Sequence, residues 1–137
     1  MKVLIVDDEK PARDRLAQIL EDEPDYDAVG EAGNGHEALK LAARLRPDIV
    51  LLDIRMPGME GIEAALHLNA MDRAPAVVFK TAYDEYANDA FYARAIGYVL
   101  KPVRRSRLTR ALQQAARLAP AVLQEAAGEA RLGEQRK

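Results

Sequence analysis

The sequence contains no cysteine and no long apolar run. Without cysteine there are no disulfides, no thiolate chemistry and no cysteine-based zinc sites, which fits a reducing cytoplasm, and a bound metal would be held by oxygen. No apolar stretch is long enough to span a bilayer. Residues Met1 to Val6 have neither the basic lead nor the cleavage site of a signal peptide. We therefore predict a cytoplasmic protein without a membrane segment.

The chain also lacks a strong charge of one sign. Its formal net charge is −2, so no global basic field attracts nucleic acid. A glycine loop of the Walker type is missing as well, and the turn at 53–58 is too short to cradle a nucleotide. The residues themselves therefore indicate neither direct DNA binding nor a bound nucleotide.

Short runs rich in Val and Ile alternate along the chain with longer stretches at helical spacing. The chain has 137 residues and 49% of them are hydrophobic, so one domain can bury its own core. The alternation is typical of consecutive strand-helix units and of a buried parallel sheet. The five predicted strands are Lys2–Val6, Ala28–Glu31, Ile49–Leu52, Ala76–Phe79 and Tyr98–Leu100.

Apolar spacing and capping residues place the helices between these strands. Asn34 and Gly35 are predicted to cap the second helix, and Pro47 to end it. A third helix should follow Gly61, and Ser106 is the predicted cap of the last one. The residues that share a helical face are Ala12, Leu16, Ile19 and Leu20, then Ala38, Leu41, Ala42 and Leu45, and finally Leu108, Ala111, Leu112, Ala115 and Ala116.

Polar residues follow the predicted strands at the edge where an open parallel sheet binds ligands. Asp7 and Asp8 follow the first strand, Asp53 the third, Thr81 the fourth and Lys101 the fifth. Three carboxylates at one edge would raise one another's pKa values, so a stable cluster needs a cation. Magnesium suits such an oxygen site and commonly bridges to phosphate oxygens. Lys101 and Thr81 could hold the oxygens of a transferred phosphoryl group.

Each of these signals is weak when it stands alone. Paired acids after a strand are commonly a loop or a helix cap, and a lone Lys-Pro is usually an ordinary strand terminus. Adjacent acids need not point the same way, so one of the pair can contact a metal while the other does not. The joint placement at the ends of four strands is what favours a phosphoryl site.

Three segments carry a resemblance to a known family: Val3 to Glu9 (VLIVDDE), Pro47 to Gly58 (PDIVLLDIRMPG) and Tyr98 to Pro102 (YVLKP). Together they resemble the receiver domains of two-component response regulators, over Met1 to about Leu118. The resemblance implies a flavodoxin-like (βα)5 fold, a doubly wound parallel sheet with strand order 2-1-3-4-5.

The resemblance also implies a role for each site residue. Asp53 would be the phosphoryl acceptor, and Thr81 and Lys101 would hold the phosphoryl oxygens. The implied Mg2+ ligands are Asp7, Asp8, Asp53 and the backbone carbonyl of Arg55. Thr81 and Tyr98 would form the switch, and the Lys101-Pro102 peptide is expected to be cis. By this resemblance the chain is a regulatory phosphoacceptor and not an enzyme.

The segment from Thr81 to Ala87 (TAYDEYA), with Ala90, Phe91 and Ala95 to Tyr98, resembles receivers of the LytTR type, including the alginate-regulator group. Such proteins normally carry a C-terminal LytTR DNA-binding domain, so DNA would be contacted only through a part that this chain lacks. We therefore expect a receiver over 1–118 and a linker or frayed helix over 119–137. A naturally short, stand-alone receiver is the alternative.

The implied partners are a sensor histidine kinase and a second copy of the chain. A homodimer would form through the face of the fourth helix, fifth strand and fifth helix, where acidic and basic side chains could pair across a twofold axis. A solvated surface of mixed charge explains the same residues equally well. The residues concerned are Asp84, Glu85, Asp89, Arg104, Arg105, Arg107 and Arg110.

Two other functions compete with the phosphoryl switch. Haloacid dehalogenase-like phosphatases also form an aspartyl phosphate, but their nucleophile is followed two residues later by a second Asp, a pattern that Asp7 to Lys10 does not supply. The second alternative is an adaptor that acts by protein contact without phosphorylation. Retention of every site residue argues against it.

Overall fold

A computed structural model describes residues 1–56, 58–82 and 97–119. The strands form one five-stranded parallel sheet in the order β2-β1-β3-β4-β5, which confirms the predicted fold class and strand order. The elements are β1 (Lys2–Val6), α1 (Lys10–Glu21), β2 (Asp27–Ala32), α2 (Gly35–Leu45), β3 (Ile49–Asp53), α3 (Gly61–Asn69), β4 (Ala76–Thr81), β5 (Gly97–Leu100) and a C-terminal helix (Arg105–Arg117).

The three inner strands β1, β3 and β4 bury side chains on both faces of the sheet, as the continuous apolar runs predict. In β4, Val77 and Phe79 belong to the core under α2 and α3, whereas Ala76 and Val78 belong to the core under α1 and the C-terminal helix. Successive residues of a strand point to opposite faces. The alternation therefore assigns every residue of a strand to one of two apolar layers.

The predicted helix ends are confirmed at α2 and wrong at the C-terminal helix. The Asn34 side chain accepts a hydrogen bond of 2.9 Å from the Glu37 N–H, as an N-cap should. Ser106, in contrast, lies inside the C-terminal helix, whose N-cap is Arg104 without a side-chain cap bond. The Leu108 N–H donates to the Arg104 carbonyl at 3.0 Å, so the first turn runs from Arg104 to Leu108 and Ser106 lies inside it.

The end of β3 opposite the predicted site is held by a partly buried ion pair. Asp48 accepts hydrogen bonds of 2.9 Å at each carboxylate oxygen, one from the Arg73 guanidinium and one from the Lys2 backbone N–H. The Asp48 carbonyl accepts from the Ala76 N–H at 2.9 Å. Through its carboxylate and its backbone carbonyl, Asp48 therefore ties the starts of β1, β3 and β4 together.

Part of the predicted organisation lies outside the described residues. This applies to the fourth helix, to the acids Asp84, Glu85 and Asp89, and to the linker apart from Ala119. Among the residues that the structure describes, no helix is both long enough and apolar enough to cross a bilayer.

Candidate functional site

The three predicted acids converge at the ends of β1 and β3. Asp7, Asp8 and Asp53 each offer a carboxylate oxygen, and these oxygens lie within 4.8 Å of one another. The Asp7 N–H donates to the Ala32 carbonyl at 3.0 Å and so extends the pairing with β2, while Asp53 is the last residue of β3. Asp7 and Asp53 are buried, whereas Asp8 is exposed. The sheet therefore gathers the acids as the sequence predicts.

A close backbone approach fixes the chain that follows Asp53. The Gly61 N–H donates to the Ile54 carbonyl at 2.7 Å. A Cβ atom on Gly61 would lie 2.0 Å from the Asp53 carbonyl oxygen, which no side chain can tolerate. Gly58, at φ 82°, makes the intervening turn in the left-handed region that glycine adopts readily. Glycine at these two positions lets α3 begin directly against the end of β3.

Lys101 reaches the acids from the end of β5. Its Nζ lies 3.1 Å from Asp53 Oδ2 and 3.5 Å from Asp7 Oδ2. The Lys101 N–H donates to the Thr81 carbonyl at 2.7 Å, which fixes where the side chain leaves the sheet. The Lys101-Pro102 peptide is cis, as the resemblance implied. Lys101 is therefore placed as the expected cation of the site.

A second lysine, Lys80 of β4, enters the cluster and was not predicted from the sequence. Its Nζ lies 2.5 Å from Asp7 Oδ2, and the two side chains are 3% and 0% exposed. Lys80 is paired with Asp53 in the register of β3 and β4 and shares the face of Ala76 and Val78. The available signal was a lysine within an otherwise apolar buried strand, because such a charge needs a buried partner.

Burial and neighbouring charges shift the pKa values of the acids in opposite directions. Burial raises the pKa of Asp53 and Asp7 adds to the increase, so the pKa stays above its ordinary value despite Lys80 and Lys101. Burial also acts to raise the pKa of Asp7, but the Lys80 ammonium and the Glu9 N–H outweigh it and lower the pKa. The cluster therefore contains one well-compensated carboxylate, Asp7, and one under-compensated carboxylate, Asp53.

The two lysines also differ. Burial opposes the charged form of Lys101, but the carboxylates of Asp53 and Asp7 outweigh it and raise its pKa. Burial lowers the pKa of Lys80, and the attraction of Asp7 and Asp53 limits that shift. Lys101 is 30% exposed and can meet an incoming group, whereas Lys80 lies behind the acids.

A cavity of about 340 Å³ opens over the acids. Thr81 is buried in its wall at 2% exposure, and its position at the end of β4 is the predicted one. Tyr98 is half-buried in β5 and packs against the core under α2 and α3, on the other face of the sheet from Lys80. The lining residues are Asp8, Glu9, Asp53, Arg55, Thr81, Ala82 and Lys101.

The donor set fits a hard divalent cation such as magnesium. Carboxylate oxygens are the preferred ligands of this ion, and Asp8 and Asp53 both line the cavity. Arg55 also lines it, so its backbone carbonyl is a candidate third ligand. Asp7 differs because its Oδ1 accepts from the Glu9 N–H at 2.9 Å and its Oδ2 contacts Lys80. Asp8 and Asp53 are therefore the better candidates for direct ligands.

Comparisons with known proteins identify the family. The family model described as "Response regulator receiver domain" matches residues 3–113, and the chain belongs to that family. It is a regulatory domain. The chain is 51% identical over 118 residues to the positive alginate biosynthesis regulatory protein of Pseudomonas aeruginosa, covering 85% of this chain and 48% of that protein. It is 44% identical over 114 residues to the sensory transduction protein LytT of Bacillus cereus, covering 83% and 46%.

These relatives agree with the LytTR-type resemblance, and the chain spans about half the length of the curated relatives it matches. Solved structures show the same fold. The response regulatory domain of mrkE from Klebsiella pneumoniae matches with a TM-score of 0.77 at 34% identity, over 84% of this chain and 94% of that one. A CheX-CheY-BeF3-Mg2+ complex from Borrelia burgdorferi matches with a TM-score of 0.74 at 29% identity, over 82% and 86%.

Proposed function

We propose that the chain is a phosphoryl-accepting switch and that Asp53 receives the phosphoryl group from a partner histidine kinase. The observation that carries this proposal is the setting of Asp53. Its carboxylate is buried, lines an open cavity and lies 3.1 Å from the Lys101 ammonium, and burial keeps its pKa raised. Under-compensated carboxylates in clefts are candidates for reactive groups.

In the proposed reaction a carboxylate oxygen of Asp53 attacks the phosphorus of a kinase phosphohistidine. A phosphorus–oxygen bond forms as the phosphorus–nitrogen bond breaks, and the histidine leaves with its electron pair and takes up a proton. Lys101 neutralises charge on the transferred oxygens, and the Thr81 hydroxyl donates to one of them. Mg2+, held by Asp8, Asp53 and the Arg55 carbonyl, would supply further positive charge to those oxygens.

The product carries more negative charge at the sheet edge than the resting carboxylate. Thr81, at the end of β4, would move toward that charge, and Tyr98 of the neighbouring strand would respond to the vacated space. The surface that changes would be that of the fourth helix, β5 and the C-terminal helix. A homodimer through that surface would use the exposed Arg104, Arg105, Arg107 and Arg110. The acids expected to face them across the twofold axis lie outside the described residues, and within one chain Arg105 contacts Asp22 at 2.7 Å.

The output is proposed from the relatives. Two of them are named as a regulator of alginate biosynthesis and a sensory transduction protein, and both are about twice as long as the matched region. We infer that a LytTR-type DNA-binding domain belongs to the same polypeptide and acts on transcription. A stand-alone receiver or an adaptor that works by protein contact is the competing proposal.

The test is the intact mass of the protein after incubation with phosphoramidate or acetyl phosphate and Mg2+. Wild type should gain one phosphoryl group, and Asp53→Asn should gain none. The matched control is Asp48→Asn, which alters the buried acid at the other end of β3 and should gain the group like wild type. Chelator should prevent the gain. A folded wild type that gains no mass would favour the adaptor.

A further inference from the structure

Lys80 is a buried charged residue of the site to which the proposed reaction gives no role. It comes from the middle of the sheet, is 3% exposed, and directs its ammonium at Asp7 and not at the cavity mouth. A buried ammonium is costly unless it is paired, and here the pairing partner is a member of the acidic cluster itself. Lys80 therefore changes the charge that the cluster presents.

We propose that Lys80 is a built-in cation that holds Asp7 away from metal ligation and weakens the binding of Mg2+ to the resting site. This inference rests on the proposed magnesium site. Lys80 is a positioning residue in this role, because it acts through Asp7 and through the charge of the cluster and touches neither the substrate nor the phosphoryl group.

Both side-chain oxygens of Asp7 already accept a hydrogen bond. Oδ1 accepts from the Glu9 N–H at 2.9 Å, and Oδ2 accepts from Lys80 at 2.5 Å. The Arg13 guanidinium donates to the Asp7 backbone carbonyl at 2.7 Å and holds the main chain as well. An ion that recruited Asp7 would have to compete with the Lys80 ammonium for Oδ2 and with the Glu9 N–H for Oδ1. Asp8, which is exposed, meets no such obstacle.

The charge balance gives the second part of the argument. With the three acids and two lysines ionised, the resting cluster carries a net charge of −1, and without Lys80 it would carry −2. Charges a few ångströms apart in a partly buried site interact strongly and are poorly screened by salt. Removing the Lys80 charge should therefore tighten divalent ion binding by at least about tenfold, which corresponds to about 1.4 kcal/mol.

After phosphoryl transfer, the Lys80 ammonium favours the modified site because it balances the added negative charge. The aspartyl phosphate adds negative charge next to Asp7, and Lys80 remains to balance it when the ion leaves. Lys80 thus makes the site less dependent on the divalent ion in the resting and in the phosphorylated protein. In the resting protein Lys80 compensates the acids when no ion is bound, and in the phosphorylated protein it remains as a fixed positive charge near the acyl phosphate.

The test measures Mg2+ affinity by isothermal titration calorimetry and Mn2+ affinity by electron paramagnetic resonance, without phosphodonor. Four proteins form a charge series: wild type, Lys80→Met, Asp7→Asn and the double variant. Lys80→Met should bind at least about tenfold more tightly than wild type, and Asp7→Asn more weakly. The double variant should match wild type, because it restores the net charge and Asp7 is not a ligand.

The double variant also covers the case in which Lys80→Met fails to fold. It differs from Asp7→Asn only at Lys80, and it leaves no buried carboxylate unpaired. Binding at least about tenfold tighter than that of Asp7→Asn supports the inference, and equal binding overturns it. If all four proteins bind equally while Asp53 still gains a phosphoryl group, Lys80 has no such role and the proposed function stands. If none binds, both the inference and the magnesium site are wrong.

Discussion

Strand β3 has a buried carboxylate at each end, Asp48 just before it and Asp53 as its last residue. The two are equally buried, at 6% and 4% exposure. Asp48 is a single acid whose two oxygens each accept a hydrogen bond of 2.9 Å, from Arg73 and from the Lys2 N–H. Asp53 shares its surroundings with two more acids and has Lys101 as its hydrogen-bond donor.

The comparison of Asp48 with Asp53 shows that burial alone does not identify a reactive acid. Asp48 links three strands, and each oxygen of its carboxylate already accepts a hydrogen bond. Asp53 is close to positive charge but also close to Asp7, so its ionised form is under-compensated and an incoming cation can improve the balance. The contacts of Asp48, at the amino ends of the strands, are those of a stabilising residue, whereas the proposed function assigns an exchange of charge to Asp53 at the carboxyl ends.

The largest expected effect on stability is that of Lys80→Met in metal-free buffer. It leaves Asp7 buried without its main partner, and breaking a buried pair in this way costs about 3–5 kcal/mol. The free energy of unfolding from urea titration checks this value. Mg2+ should restore part of the loss, because it binds only the folded state. A loss under about 1 kcal/mol would show that the Asp7-Lys80 pair is not a major stabilising contact.

Asp48→Asn should have the next largest effect. It weakens the bonds to Arg73 and to the Lys2 N–H, and bonds to a charged group contribute about 1.5–3 kcal/mol each, part of which the amide retains. We expect a loss of about 1–3 kcal/mol by urea titration. Phosphoryl uptake should remain at the wild-type level. If the Asp48→Asn variant stayed folded but no longer took up a phosphoryl group, the proposed distinction between a structural Asp48 and a reactive Asp53 would be wrong.

Asp53→Asn should stabilise the metal-free protein by about 0.5–2 kcal/mol, as removal of a strained functional group commonly does. The pKa of Asp53 is raised in the folded state, so ionisation of this carboxyl costs stability. That cost is absent below its unfolded pKa of about 3.9, develops as pH rises through the folded pKa, and is complete above it. The difference between variant and wild type should therefore vanish near pH 3. A variant that is less stable at pH 7 would contradict this account.

The smallest effect is expected at an exposed ion pair. Arg105 lies 2.7 Å from Asp22, and the two side chains are 54% and 63% exposed. Exposed pairs contribute little, so Asp22→Asn should change the free energy of unfolding by no more than about 0.5 kcal/mol. Addition of 1 M salt to wild type should have a similarly small effect at this pair. A larger loss of unfolding free energy would mean that the strength of an ion pair in this protein depends on the distance between its charges more than on their burial.

Much of the site could be predicted because it depends on topology. Parallel strands bring their carboxyl ends to one edge, so Asp7, Asp53 and Lys101 had to approach one another once the strands were identified. Lys80 was not predicted as a site residue because the predicted fourth strand ended at Phe79, and a lysine after an apolar run is usually solvated. Its burial depends on β4 continuing to Thr81, which only the three-dimensional pairing with β3 and β5 decides.

The Ser106 cap failed for a related reason. Serine is a favoured N-cap, but the helix start is fixed by the turn that the Arg104 carbonyl closes with the Leu108 N–H. Leu108 is 2% exposed and must reach the core under α1 and the C-terminal helix. The packing of the buried Leu108 side chain therefore outweighed the local capping preference of the exposed Ser106.

The alternation of side chains along β4 has a consequence for how such a domain can vary. Lys80 points into the layer under α1 and the C-terminal helix, whereas Thr81 follows the face of Phe79, where Tyr98 also packs. The groups that set the charge of the site and the groups proposed to report its occupancy thus lie on opposite sides of one sheet. Under the proposed function, sequence changes in one layer can alter metal affinity or phosphoryl lifetime and leave the residues proposed to transmit the response unchanged.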